Sequence, residues 1–324
     1  MSTDISRPPI PVRFAKFIWS EYSIILVTIV IFVVAGLIEA RFIQFSNIMV
    51  ILRQASIIGV IAMGMTIVII TGGIDLYSGH VVAASGAVLI VLQANAEIPI
   101  IVAILACFAV ATAIGAANGV IITKFRLPPF IVTLAVGIIA RSVALYLVDG
   151  RSVVGRRVPE FNNIGTGSIG FMPNSLSIWI TVGVVLAIIL KFTKFGSYIF
   201  AVGGNETAAR YSGIPVDRVK IAAYAITGLC AGLSALLDFS RMSAIAVTTA
   251  GHMYEFDAIT AAVLGGAALS GGRGKMLSTF FGVIIIMVVT NMMVMFGFSV
   301  FLSGTVMGTI ILVGVLLQKR DKAT

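Results

Sequence analysis

The sequence predicts an all-α integral membrane protein, one bundle of about ten transmembrane helices with both termini in the cytoplasm. Three observations predict it. Of 324 residues, 59% are hydrophobic and only 11% charged, whereas soluble domains run to about a quarter charged. A mean hydropathy of +1.10 leaves too little polar surface to cover a soluble core. The apolar residues come in long continuous runs, not the short alternating segments of a barrel, and in hydrocarbon only helices and closed barrels satisfy the backbone. The formal charge of +9 reads as topology, because Lys and Arg collect in cytoplasmic loops. No basic stripe with interleaved aromatics points to nucleic acid.

Residues 1–20 carry Arg7, Arg13 and Lys16 and read as a cytoplasmic N-terminal segment. The apolar run that follows, Tyr22 to Ile38, exceeds the about 7–15 residues of a secretory h-region and reads as an uncleaved first span. A span needs about 20 apolar residues to cross the bilayer. The expected spans are 21–39, 50–71, 77–94, 98–120, 127–148, 176–193, 219–239, 255–270, 276–296 and 299–318. The eighth is polar at its start and reads as a half-helix. The transmembrane domain is thus 21–318, with a cytoplasmic tail over 319–324. Two connections are too long for simple turns: 149–175, polar and turn-forming, is placed outside, and 194–219 inside. Cys107 and Cys230 lie in apolar runs and imply no disulfide framework.

Gly72 to Gly79 echoes Gly265 to Gly272: each Gly-rich segment follows one apolar run and precedes another. Transporters are often built from repeats with broken or half-helices near the substrate path. The pairs Gly115/Gly119, Gly228/Gly232 and Gly304/Gly308 have the spacing that lets helices approach closely.

The segment 194–219 holds a short helix with marked ends. Asn205 is a good N-cap, and Glu206 places negative charge on the first turn. Gly213 suits the left-handed position after the last turn, and Pro215 follows it. Asp217 is expected to cap the next span. The helix so bounded, Glu206 to Ser212, spans about two turns and is too short to be stable alone. Ala208 and Ala209 offer it a smooth face, Tyr211 and Ile214 apolar knobs. It is either an ordinary loop helix on the membrane surface or a docking knob for a cytoplasmic partner.

The phrase AVGGNETAARYSGIPVDRVKI, residues 201–221, resembles the cytoplasmic loop of ABC sugar permeases of the ribose/xylose/arabinose type. GMTIVIITGGIDLYSG, Gly64 to Gly79, is similar to that family's G-M-T-x-V-x-x-x-GGIDLSVGS stretch, departing from it at Tyr77, Ser78 and His80. Ala117-Asn118-Gly119 followed by Leu127 to Leu134, and Tyr254 to Ile259 running through Gly265-Gly266 to Gly271-Gly272, match in order and spacing. The resemblance covers residues 45 to 318. It implies a subunit of the bacterial inner membrane, importing a monosaccharide or similar small polyol, paired with a second permease copy or paralogue. It also implies a cytoplasmic ATPase partner holding ATP and Mg, and a soluble sugar-binding protein outside. In that family the loop docks on the ATPase, which carries the role onto Gly203, Gly204, Asn205, Glu206, Ala208, Ala209, Arg210, Gly213, Ile214 and Pro215.

Nothing in the sequence reads as catalytic or metal-ligating. Gly271-Gly272-Arg273-Gly274-Lys275 is Gly-rich and basic but has the wrong spacing for a phosphate loop. Candidates for the translocation path are Gly72, Gly73, Gly265 and Gly266 at the breaks and the polar residues Thr66, Asp75, Asn118, Thr133 and Asn291. Asp75 is either a path residue or an N-cap for the span beginning near Tyr77. The uncharged polar groups more often bind helix to helix. Arg53 and Arg141 are expected to snorkel to the outer interface. An ion-coupled carrier or a passive polyol channel is the alternative, but neither needs the bounded cytoplasmic helix, and a carrier usually needs intramembrane acids or His.

Overall fold

The computed structural model describes residues 10–298, with side chains from residue 23, and isolated positions beyond. The expected span 299–318 and the tail fall outside that continuous stretch. The described residues are mostly helical. α1 (Ile10–Ile38) leads through a 3-10 turn (Ala40–Ile43) to α2 (Phe45–Ile70). The helix α3 (Ser78–Ala94) follows an extended break, then come α4 (Ile100–Phe125) and α5 (Pro129–Leu147). The connection over 149–175 is built from β1 (Val153–Val154), α6 (Pro159–Thr166), β2 (Ser168–Ile169) and β3 (Met172–Pro173). Next are α7 (Asn174–Phe192), α8 (Lys194–Gly204), α9 (Glu206–Tyr211) and α10 (Val216–Met242). The series ends with β4 (Ala244–Ile245), α11 (Tyr254–Leu264) and α12 (Met276–Met295).

Among the described residues, six helices are long and apolar enough to cross a membrane: α2, α4, α5, α7, α10 and α12. The apolar part of α1, Ser23–Ile38, and α3 are shorter. The expected eighth span shrinks to the 11 residues of α11, because Gly265 and Gly266 end the helix and the chain turns before α12. Sequence reading ran this segment on to residue 270, since hydropathy does not register where the backbone stops being helical.

Burial sorts the helices into two layers. α2 and α10 form the centre, with 67% and 61% of their most apolar windows buried, whereas α4 has only 22%. From Ala55 to Ile70 every residue of α2 is buried, as expected for a helix apolar on all sides. Gly115 of α4 and Gly228 of α10 let those helices cross at backbone distance: a Cβ on either would sit 3.1 Å from the other's Cα. Trp179 of α7 is fully buried and stacks on Phe280 of α12, with ring centroids 4.1 Å apart.

At the end of the bundle remote from α8 and α9, the 149–175 connection is ordered rather than a loose polar loop. β1 pairs antiparallel with β4, Val153 opposite Ile245. Arg156 donates to the carbonyls of Gln93 and Ile98, and Asn162 to the Ser240 carbonyl and Ser243 hydroxyl. Arg141 does more than snorkel: its guanidinium donates to the carbonyls of Val247, Thr248 and Ala250 and so holds the chain entering α11.

Candidate functional site: a short capped helix against two broken helices

The expected short helix is α9. The Asn205 side chain accepts the Ala208 N–H at 2.9 Å, and Gly213 takes φ +80, the left-handed value its position requires. Ala209 is buried, Ala208 exposed, and Tyr211 is 89% exposed. Asp217 does not cap α10. Pro215 occupies the N-cap, and a side chain in the helix's first turn is free to reach outward. Asp217 accepts from Arg210 at 2.8 Å, Glu206 from Lys220 at 2.5 Å and from Arg210 at 3.5 Å. Burial pushes the Glu206 carboxyl upward, but the hydrogen bonds and charges of Lys220 and Arg210 outweigh it and hold the group below the usual range. Arg210 is raised by Asp217. The pairs are half-exposed and individually weak. Their effect is to fix the angle between α9 and α10.

The sequence reading missed α8. Thr193 caps it by accepting the Gly196 N–H at 3.2 Å, and Ile199 and Val202 are buried on one face with Phe195 beside them. Thr followed by Phe195, Ile199 and Val202 at helical spacing was the available signal. Three glycines in 11 residues masked it.

α8 ends where three glycine pairs meet. The Gly272 N–H donates to the Ile70 carbonyl at the end of α2, at 2.8 Å. A Cβ on Gly203 would overlap that same carbonyl and lie 2.6 Å from the Gly272 nitrogen. A Cβ on Gly271 would lie 2.6 Å from the Gly203 carbonyl and 3.0 Å from the Gly72 Cα. The two segments that echo each other in sequence therefore touch, with the end of α8 against both.

Beyond Gly72 the chain runs extended back into the bundle. Asp75 is fully buried and behaves as a cap: its carboxylate accepts the Tyr77 N–H at 2.8 Å, the Ser78 N–H at 3.2 Å and the Ser78 hydroxyl at 2.7 Å. Thr133 accepts the Leu76 N–H at 3.3 Å. The Tyr224 hydroxyl donates to the Ile74 carbonyl, and the Tyr77 hydroxyl to the Tyr224 carbonyl. These bonds supply partners for backbone that has left helical geometry at membrane depth. α11 also starts inside. Its first turn packs on the start of α3, where Gly79 and Gly251 are so close that a Cβ on either would collide with the other's carbonyl. From that meeting point α3 runs to the far end of the bundle and α11 to the α8–α9 end, where Gly265 rests on the first turn of α12 beside Ser278.

The remaining polar candidates lie apart, and two of them join helices. Thr66 shares a hydrogen bond with Thr279 at 2.8 Å. Asn291 bonds Asn47 at 2.9 and 3.1 Å. Asn118 is buried and donates to the Ile114 carbonyl.

A multi-helix membrane protein with paired broken helices and a capped helix at one end has the form of a transport subunit. The chain belongs to the family of permease components described as branched-chain amino acid transport system permeases, whose model matches residues 47–315. It is 38% identical over 295 residues to the ribose import permease protein RbsC of Bacillus subtilis (strain 168), covering 91% of each chain. It is 36% identical over 314 residues to the RbsC of Escherichia coli (strain K12), covering 95% of this chain and 97% of that one. The D-allose transport system permease protein AlsC of Escherichia coli (strain K12) is 32% identical over 310 residues. No solved structure gives a significant match.

Proposed function

We propose that this chain is the membrane-spanning subunit of an ATP-driven importer of a monosaccharide, set in a bacterial inner membrane. The carrying observation is near-full-length identity to two ribose import permeases, at 36% and 38%, with a D-allose permease also aligned along the chain. The family description names branched-chain amino acids, so the substrate class is part of what must be tested. In this reading α8 and α9 face the cytoplasm, both termini lie there, and the full chain makes about ten crossings. The partners are a second permease copy or paralogue, a soluble sugar-binding protein outside and a cytoplasmic ATPase that holds ATP and Mg.

The contact surface for the ATPase is α9 with its flanks, from Gly203 to Pro215. Support comes from the exposed Tyr211 and Ala208 on a helix whose ends and angle are both fixed. The path is assigned to the interior around the breaks, where Asp75 and Thr133 hold nonhelical backbone.

The test is uptake by proteoliposomes holding the chain with its cognate ATPase and binding protein. Ribose or D-allose uptake should require ATP and stop when the ATPase is disabled. Uptake that persists without ATP and collapses with the proton gradient would make the protein a carrier and sink the proposal.

A further inference from the structure

A cavity of about 250 Å³ opens between α2, α10, α11 and α12. It lies in the half of the bundle remote from α8 and α9. Its polar wall brings together Gln54 of α2, Asp238 and Arg241 near the end of α10, Tyr254 and Asp257 from the start of α11, and Thr290 of α12. Ile57, Ile58 and Met287 complete the lining with apolar surface. None of these residues takes part in the capping and backbone contacts around Asp75.

The polar groups are unevenly satisfied. The Tyr254 hydroxyl donates to one oxygen of Asp238 at 3.0 Å, leaving the other oxygen able to accept. Asp257 has no hydrogen bond or ion pair from its side chain among the described residues. A carboxylate held at membrane depth without a partner is costly. Its place in the first turn of α11 gives it favourable dipole energy, but Glu255 already occupies the same turn. The dipole does not account for a second acid facing a cavity.

We propose that this cavity is a carbohydrate station on the import path, where one neutral monosaccharide is held by its hydroxyls. Asp257 and the free oxygen of Asp238 accept hydrogen bonds from sugar hydroxyls. Arg241 and Gln54 donate to the sugar oxygens. The apolar surface of Ile57 and Met287 meets the C–H face of the ring. The volume equals about eight waters at ~30 Å³ each, the scale of one sugar ring with its hydroxyls and too small for an oligosaccharide. Two acceptor carboxylates against one guanidinium suit a neutral donor-rich ligand better than a zwitterion, which needs one charge of each sign. The proposal rests on the sugar-import reading above.

The experiment uses the assembled transporter in proteoliposomes, with labelled ribose, D-allose and leucine as probes. Asp257→Ala should cut sugar uptake at least about tenfold, which is ~1.4 kcal/mol of lost stabilisation, while ATP hydrolysis stimulated by the binding protein persists. Asp257→Asn should recover part of the uptake, because one acceptor oxygen remains. Thr290→Cys should react with a water-soluble thiol reagent, more slowly under saturating ribose or allose. The native Cys107 and Cys230 are buried and give little background. If Asp257→Ala loses both uptake and stimulated hydrolysis, protection of Thr290→Cys decides: protection supports the station and its absence overturns it. Wild-type sugar uptake with an unimpaired Asp257→Ala overturns the station alone. Wild-type transport of leucine and neither sugar overturns the sugar reading and the station with it.

Discussion

Gly203 sits where the end of α8 touches both the end of α2 and the turn after α11, and replacing it with Ala measures how tightly they are joined. An added Cβ would overlap the Ile70 carbonyl oxygen and stand 2.6 Å from the Gly272 nitrogen. Both neighbours are backbone, and they are hydrogen-bonded to each other at 2.8 Å, so no side chain can swing aside. Either that bond breaks, at about 1 kcal/mol, or α8 lifts away, with overpacking strain of about 1–3 kcal/mol. Whichever route is less costly sets the loss, about 1–3 kcal/mol. Gly204→Ala is the control: a Cβ there meets nothing within 4 Å, and Ala in place of Gly favours a helix by about 0.5–1 kcal/mol. Thermal unfolding of the purified protein and ATP-coupled uptake are the assays. Gly203→Ala should lower both and Gly204→Ala neither. Equal behaviour of the two variants would refute the close packing and the mechanical role drawn from it.

Asn205→Ala removes the N-cap bond to Ala208 and should cost about 1 kcal/mol, seen as faster hydrogen exchange over residues 206–212 with the rest of the bundle unchanged. Gly213→Val puts a β-branched residue at φ +80, a strain of roughly 1–2 kcal/mol, and should weaken ATPase docking while membrane insertion stays normal; unchanged docking and uptake would remove this loop as the contact. Asp75→Ala leaves two buried N–H groups and the Ser78 hydroxyl without their acceptor, and at about 1–3 kcal/mol for a buried unsatisfied group should lower thermal stability more than Asp75→Asn, which keeps one acceptor oxygen. Glu206 gives a pH prediction: its carboxyl lies below the usual range when folded, so its contribution is present at neutral pH and is lost as pH falls through that lowered value, below the ordinary ~4.3. The mobility of a spin label at the exposed Tyr211→Cys should stay constant to below that pH and then rise, and Lys220→Met should move that rise upward; an unmoved midpoint would show that the Lys220 pair does nothing.

What the sequence disclosed, and what it withheld, follows from how far each signal reaches along the chain. Local chemistry was legible. Asn205, Glu206, Gly213 and Pro215 bound α9 by capping rules that act over a few residues. The glycines at 72–73 and 265–266 marked where helices stop. Asp75 was read as either a cap or a path residue, and its side chain makes three hydrogen bonds of the capping kind. Contacts between distant segments were not legible. Arg141 read as snorkelling because its acceptors lie more than 100 residues on and are main-chain carbonyls with no side-chain signature. Asp217 read as a cap because aspartate beside a helix start often is one, and its Arg210 partner depends on the angle between α9 and α10. α8 was lost because glycine lowers apparent helicity, although Gly196 and Gly203 are there for close packing. The cavity holding Asp257 draws on four helices, and no window of sequence contains it.

The placement of the glycine pairs bears on how work done outside the membrane could reach its interior. Ion pairs join α9 to the first two turns of α10, and each such pair is individually weak. The contact between α8 and the broken helices is of another kind: Gly203, Gly271 and Gly72 meet backbone to backbone, with no flexible side chain between them. Close-packed surfaces of this sort transmit displacement with little give. The turn that touches Gly203 lies between α11 and α12, so a shift of α8 bears on the end of α11. The other end of α11 carries Glu255 and abuts Gly79 at the start of α3. A displacement of α8 thus has a steric route to the point where the two interior helix starts meet. That route requires glycine at each junction, which is a stronger reason for glycine there than the turns they also make.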